Sequence, residues 1–185
     1  HSIIDIKNKT HLISPRIIFG AKAYHFSENA NNQFKAIASH NLRALPTESK
    51  VFLSVGEIDC RPNEGIIRTV EKKGLKLEAV IEKTIGGYVE WFLNENKHNK
   101  HTYYFFNLPA PTYDTTISNV MNKKVAQVVI QFNKVLMNKL RTSKANLIDI
   151  YSYTTDKNGF SNKLYHCDKR HLDKRIIPHL QRQLI

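Results

Sequence analysis

The chain has 185 residues, of which 41% are hydrophobic and 24% charged, and a formal net charge of +12. That is the size of one domain with one substantial core, and it excludes wholesale disorder, a repeat array and, since no uncharged apolar run approaches roughly 18 residues, a membrane helix. The two cysteines, Cys60 and Cys167, are too few for a disulfide scaffold and are read as reduced thiols, with a cytoplasmic setting as the expectation. Starting at His1, the sequence reads as one domain over 1–185, excised from a longer protein or carrying a tag remnant. The positive charge favours a polyanion such as nucleic acid, an anionic membrane surface or an acidic glycan. The cations, however, are mostly lysines scattered among asparagines, as in Asn122-Lys123-Lys124, and no zinc-finger, RRM-type or KH-type pattern accompanies them.

In chain order, Arg16-Ile17-Ile18-Phe19 is short, apolar and β-branched, stops at Gly20, and predicts a first strand. The Phe34 to Leu45 region holds the connection to a second strand, placed at Phe34 to Ala38. Lys50 to Val55, ending at Gly56, and Thr102 to Phe106, ending before Asn107-Leu108-Pro109, are the next strands, and Ala145 to Ile150 is the last. Between them Leu77 to Leu93 and Ile117 to Leu140 read as crossover helices; the second has apolar residues at Val125, Val128, Val129, Phe132, Val135 and Leu136, one helical face. Gly86-Gly87 predicts a kink or break in the first, because glycine costs about 1 kcal/mol relative to alanine in a helix interior. Lys169 to Leu184 reads as a closing helix. Strands alternating with helices predict an α/β fold with a central parallel sheet.

In such a sheet ligands bind beyond the carboxyl ends of the strands, where the strand-to-helix loops emerge. Those loops carry Gly20-Ala21-Lys22, Gly56-Glu57-Ile58-Asp59-Cys60-Arg61, Leu108-Pro109-Ala110-Pro111, and Tyr151 to Asp168. The strongest local signal is Tyr165-His166-Cys167-Asp168-Lys169-Arg170-His171-Leu172. At the start of a helix, Asp168 three residues before His171 would accept from Nδ1–H, fix the tautomer and leave Nε2 as a general base. The alternative is an N-cap Asp168 beside a surface His171. Glu57 and Asp59 read either as paired carboxylates for acid/base work or as caps and partners of Arg61. Cys60 and Cys167 both fall on this edge, where they could approach each other. His166, Cys167, Asp168, His171 and His179 offer ligand atoms without the paired spacing of a zinc site, so neither a metal nor another cofactor is expected.

Taken together, Leu147-Ile148-Asp149-Ile150-Tyr151, Asp156-Lys157-Asn158-Gly159-Phe160 and Tyr165 to Leu172 resemble the end of SGNH/GDSL-type hydrolases, with their Asp-x-x-His-Leu motif. Gly56-Glu57-Ile58-Asp59-Cys60-Arg61 is similar to the Gly-Glu-Ile-Asp-Cys-Arg signature of a bacterial SGNH-like subgroup, and the order agrees over nearly the full chain. The resemblance implies a three-layer α/β/α flavodoxin-like fold. It also implies esterase, deacetylase or O-acyltransferase chemistry on an acylated carbohydrate, with Asp168 and His171 as the acid/base dyad. Gly20, Lys22, Gly56, Glu57, Asp59 and Arg61 then fall at substrate-binding or oxyanion positions, Gly56 as the oxyanion donor. The sequence departs from the pattern where the family's Gly-Asp-Ser nucleophile block should stand: Gly20 is followed by Ala21 and Lys22. Ile58, which has no donor, stands where the family's oxyanion asparagine belongs. At an ordinary pKa of about 10.4 a lysine is an ammonium and no nucleophile, so Lys22 is expected to be inert. The competing expectation is a non-catalytic SGNH-like module that kept the pocket and binds a glycan or an anionic partner.

Overall fold

The computed structural model describes residues 2–6, 9–98 and 100–184. A three-stranded parallel sheet, β3 (Lys50–Leu53), β4 (Thr102–Phe106) and β5 (Asn146–Ile148), runs in the order β3-β4-β5. Lys50 pairs with Thr102 and Tyr104 with Asn146. Strand alternation divides the side chains between two cores. Leu53, Tyr103 and Phe105 point to one face and meet α1 (Ala23–Ser27), α2 (Gln33–Arg43), α3 (Ile66–Lys73), α4 (Leu77–Glu95) and α5 (Asn119–Arg141). Phe52, Tyr104, Phe106 and Ile148 point to the other, where Leu180 of α7 (Ile177–Gln181), Leu184 and Ile13 cover them. The crossovers β3-α4-β4 and β4-α5-β5 both put their helix in the first layer, as two like-handed connections stepping one way across a sheet require. The result is a three-layer α/β arrangement. Ile13 ends an antiparallel hairpin of β1 (Ser2–Ile6) and β2 (Lys9–Ile13). A short helix α6 (Tyr151–Thr154) follows β5.

Several predicted elements fold differently. Arg16–Phe19 is not a strand: it has no ladder partner, Ile17 is 71% and Phe19 89% exposed, and only Ile18 packs on the core. Pro15 removes a donor just before it, and a turn closed by Ala21 N–H on Ile18 C=O, with Gly20 at φ +67, ends it. Phe34–Ala38 lies in helix α2, because the Asn32 side chain caps the Lys35 N–H at 3.0 Å, and Phe34, Ala38 and Leu42, spaced by four, share one buried face.

The predicted break at Gly86-Gly87 does not occur. A Cβ at Gly87 would stand 2.6 Å from Ser27 Cα, so glycine there lets the end of α1 press against an unbroken α4. The closing helix is shorter than Lys169 to Leu184, with a 3₁₀ turn at Lys174–Ile176 and then α7. Pro178 is the cause: its ring is tolerated only in a first turn, so the helix starts at Ile177. No described helix is long and apolar enough to cross a membrane.

Candidate functional site

The loops after β3, β4 and β5 meet at the carboxyl edge of the sheet and enclose a cavity of about 110 Å³. Glu57, Cys60, Arg61 and Pro62 come from the first loop, Leu108 to Thr112 from the second, and His166, Lys169 and Arg170 from the third; Asn122, Val125 and Val129 of α5 form the floor. The loops that hold Gly56 and His171 therefore both contribute to this cavity, through Glu57–Pro62 and through His166, Lys169 and Arg170.

The second loop is fixed by buried side chains. Asn133 Oδ1 accepts from Leu108 N–H at 2.8 Å and its Nδ2 donates to Leu108 C=O at 2.9 Å. Asn122 holds Asp114 the same way, at 2.8 Å in each direction, and Thr154 Oγ1 accepts from Ala110 N–H at 3.0 Å. With Pro109 and Pro111 lacking N–H groups, these bonds satisfy a strand-like segment that no sheet receives. Asn122 and Asn133 interrupt the apolar face of α5 for this reason, and an interrupted helix stripe was the one sequence signal for them.

The third loop carries the predicted dyad. His171 Nδ1–H donates to Asp168 Oδ2 at 2.6 Å, while Asp168 Oδ1 accepts from the N–H groups of Arg170 at 2.6 Å and His171 at 2.8 Å. Those bonds to His171 and the backbone hold the Asp168 carboxyl well below the usual carboxylate range. The pair is not at a helix start. It sits on a turn closed by the antiparallel bridge His166–Leu172 and by Asp173 N–H on Tyr165 C=O at 2.8 Å. Both side chains are open to solvent, His171 by 76% and Asp168 by 55%, and neither lines the cavity.

A chain of alternating charge ties the rim together. Lys22 Nζ lies 3.2 Å from Glu64, Arg61 reaches Glu64 at 3.4 Å and Glu57 at 2.7 Å, and Arg170 Nε stands 3.9 Å from Glu57. Lys22 thus occupies the N-cap of α1, where the resemblance expects the serine, and is spent on an ion pair. Ser27, the nearby hydroxyl, is bonded to Tyr24 C=O at the far end of α1.

Asp59 does not pair with Glu57 as an acid/base site. It is 1% exposed, and its two oxygens accept from Ala23 N–H at 2.7 Å and Tyr24 N–H at 3.0 Å, capping α1 from a distant loop. Burial pushes its carboxyl up to about 6 in spite of those bonds. Gly20 is exposed in its turn and touches no cavity wall. Gly56 is buried at φ +129, and a Cβ there would meet the Phe132 ring at 2.4 Å, so its glycine answers a packing need; it does not line the cavity as an oxyanion donor would.

Cys60 is buried and Cys167 exposed, both as free thiols, and burial raises the Cys60 thiol further. Among the described residues no three His, Cys, Asp or Glu side chains converge to hold a metal ion.

One pair was missed by sequence reasoning. Ser161 Oγ lies 2.7 Å from His166 Nδ1, and His166 lines the cavity. Five residues apart on an irregular loop, the two follow no helix or strand period, so no pattern announced them.

No protein-family model matches the chain, and no curated protein sequence matches it.

Proposed function

We propose that the chain is an SGNH-hydrolase-like domain acting on an acyl ester of a carbohydrate, as an esterase, deacetylase or O-acyltransferase. His171 acts as general base toward a water or an acceptor hydroxyl and Asp168 positions it. The observation that carries this reading is the 2.6 Å bond from His171 Nδ1–H to Asp168, which leaves Nε2 without a partner among the described residues, next to Arg170 of the cavity lining. A carboxylate-oriented imidazole with a free Nε2 is the arrangement that draws a proton from an attacking hydroxyl. With Lys22 in an ion pair at the position where the family has its serine, His171 supplies base assistance, worth about 10²–10⁴-fold.

A second reading rests on that same ion pair: Lys22–Glu64 fills the nucleophile position, and the domain binds a glycan or an anionic partner without turnover. Hydrolysis of 4-nitrophenyl acetate and of acetylated xylo-oligosaccharides by the wild type and by His171→Ala separates the two. The proposal expects measurable turnover that falls about 100-fold or more in the variant. Turnover that His171→Ala leaves unchanged rejects it, and saturable oligosaccharide binding without ester cleavage favours the binding module.

A further inference from the structure

The cavity behind the rim has a chemistry that the dyad does not use. Its lining has an apolar part, with Leu108, Ala110, Ile117, Val125 and Val129 beside Asn122, and a charged part, with Arg61, Lys169 and Arg170 against Glu57 and Asp114. Two of those cations are already matched: Arg61 is bidentate on Glu57, and Lys169 Nζ lies 2.9 Å from Asp114. Arg170, at 3.9 Å from Glu57, makes no side-chain hydrogen bond among the described residues and keeps its donors for a ligand.

His166 adds a second donor of defined orientation. Ser161 Oγ accepts the Lys163 N–H at 3.0 Å, so its own proton is directed to His166 Nδ1 at 2.7 Å. A neutral His166 then carries its hydrogen on Nε2, the ring atom with no partner among the described residues. Burial lowers the His166 pKa and keeps the ring neutral near pH 7.

Size narrows the occupant. At about 110 Å³ and open to solvent on one side, the cavity is smaller than the dry cavity of about 150 Å³ that accepts benzene, so its interior holds a group of only a few heavy atoms. A small molecule with an anionic head for a guanidinium and an imidazole N–H, and a tail of one or two carbons for an aliphatic lining, is a short-chain carboxylate. Inorganic phosphate has a suitable size but offers nothing to the apolar part of the lining.

We infer that this cavity is a binding site for acetate or propionate, with Arg170 and His166 holding the carboxylate and the half-buried Ile117 and Val125 holding the alkyl group. The inference deepens the proposed function, since such an anion is the acyl product of ester cleavage, and it rests on that reading for its biological sense; the binding itself does not require turnover.

The test is an NMR titration of the labelled full chain with sodium propionate at constant ionic strength, with sodium chloride, phosphate and hexanoate as separate arms. The expected result is saturable shifts at Ile117 and Val125 with a Kd of roughly millimolar order, as a ligand of so few atoms allows. Hexanoate is expected to bind at least about tenfold more weakly because it overfills the space, and Arg170→Gln to weaken propionate about tenfold by removing a charge-assisted bond. His166→Gln is a second variant on the opposite side of the ligand and is expected to weaken propionate as well. Shifts that chloride reproduces, tighter binding of phosphate or hexanoate, or full affinity in Arg170→Gln would overturn the inference. Propionate binding in a protein that cleaves no ester would sink the proposed function and leave this site standing; ester turnover without propionate saturation would do the reverse.

Discussion

The cavity has two facing walls built from different kinds of bond. Residues 107–114 are held by side chains distant in sequence and buried: Asn107 accepts from the N–H groups of Ile150 and Tyr151, Asn133 holds Leu108, and Thr154 holds Ala110. Residues 161–173 are held mostly by neighbours, with Asn162, Asp168 and Asp173 each bonding a backbone N–H two or three residues on, in the open. A buried polar group must keep its partner, because losing it costs its full desolvation, whereas an exposed one exchanges its partner for water. The first wall is therefore part of the stability of the fold. The second is a local turn whose geometry can change with little effect on global stability.

The sharpest way to break this contrast is a matched pair of substitutions. Asn133→Leu keeps the branching and the number of heavy atoms but strands both the N–H and the C=O of Leu108, and should lower unfolding free energy by about 2–5 kcal/mol. Asp168→Ala removes just as many backbone bonds from solvent-exposed groups and should leave it nearly unchanged. Urea unfolding of both variants reads the difference directly. Equal losses would mean that the 161–173 turn is as integral to the core as the loop it faces.

Two carboxylates give the same contrast a pH signature. Hydrogen bonds depress Asp168, while burial raises Asp59 from an ordinary 3.8 to about 6. As pH rises, the unfolded chain loses the Asp59 proton first, so between about pH 3.8 and 6 the folded chain holds the extra proton and stability falls. The whole effect is roughly 3 kcal/mol, present below the unfolded value and lost above the folded one. His25 and His166, both lowered by burial, act in the opposite direction on acidification, since their unfolded forms take up protons first. They are common to the wild type and Asp59→Asn, so the difference between the two proteins isolates Asp59. Stability of the wild type relative to Asp59→Asn should fall by up to roughly 3 kcal/mol from pH 3.5 to pH 7. A flat difference would place the carboxylate in contact with water.

The sequence made the parallel sheet legible because β3, β4 and β5 are short apolar runs ended by Gly56, Asn107 and a turn, and it made the meeting of loops legible because parallel topology forces it. Arg16–Phe19 misled because a strand-like pattern says nothing about whether a neighbouring strand is there to accept it. Helix α3 went unread because its signals are an exposed charged stretch and flanking glycines, with Gly74 in the left-handed conformation at its end. In the site, the spacing of Asp168 and His171 left two readings open, and the structure combines them: the side chains bond, since three residues of chain bring them together in a turn as in a helix, while Asp168 also caps backbone N–H groups and His171 lies on the surface. For Asp59 the capping alternative is the one the structure takes, but which helix it caps was not legible, because its partners Ala23 and Tyr24 are backbone groups about 35 residues away.

The smallest expected effect tests the joint between the walls. Among the described residues, Glu57 is the one side chain ion-paired with both Arg61 and Arg170 of the third loop. Its partners are partly exposed, so Glu57→Gln should cost only about 0.5–1 kcal/mol in unfolding free energy. The informative readout is hydrogen exchange at the Cys167 and Asp173 N–H groups, which close the turn on His171 C=O and Tyr165 C=O. If Glu57 anchors that turn through Arg170, both amides should exchange several-fold faster in the variant while Leu108 exchanges as before, because local opening of an exposed turn needs far less free energy than opening the core. Unchanged exchange at Cys167 and Asp173 would mean that the Asp168 bonds alone hold His171 in place, and that the 3.9 Å approach of Arg170 to Glu57 places a cation at the cavity mouth without fastening the loop that carries it.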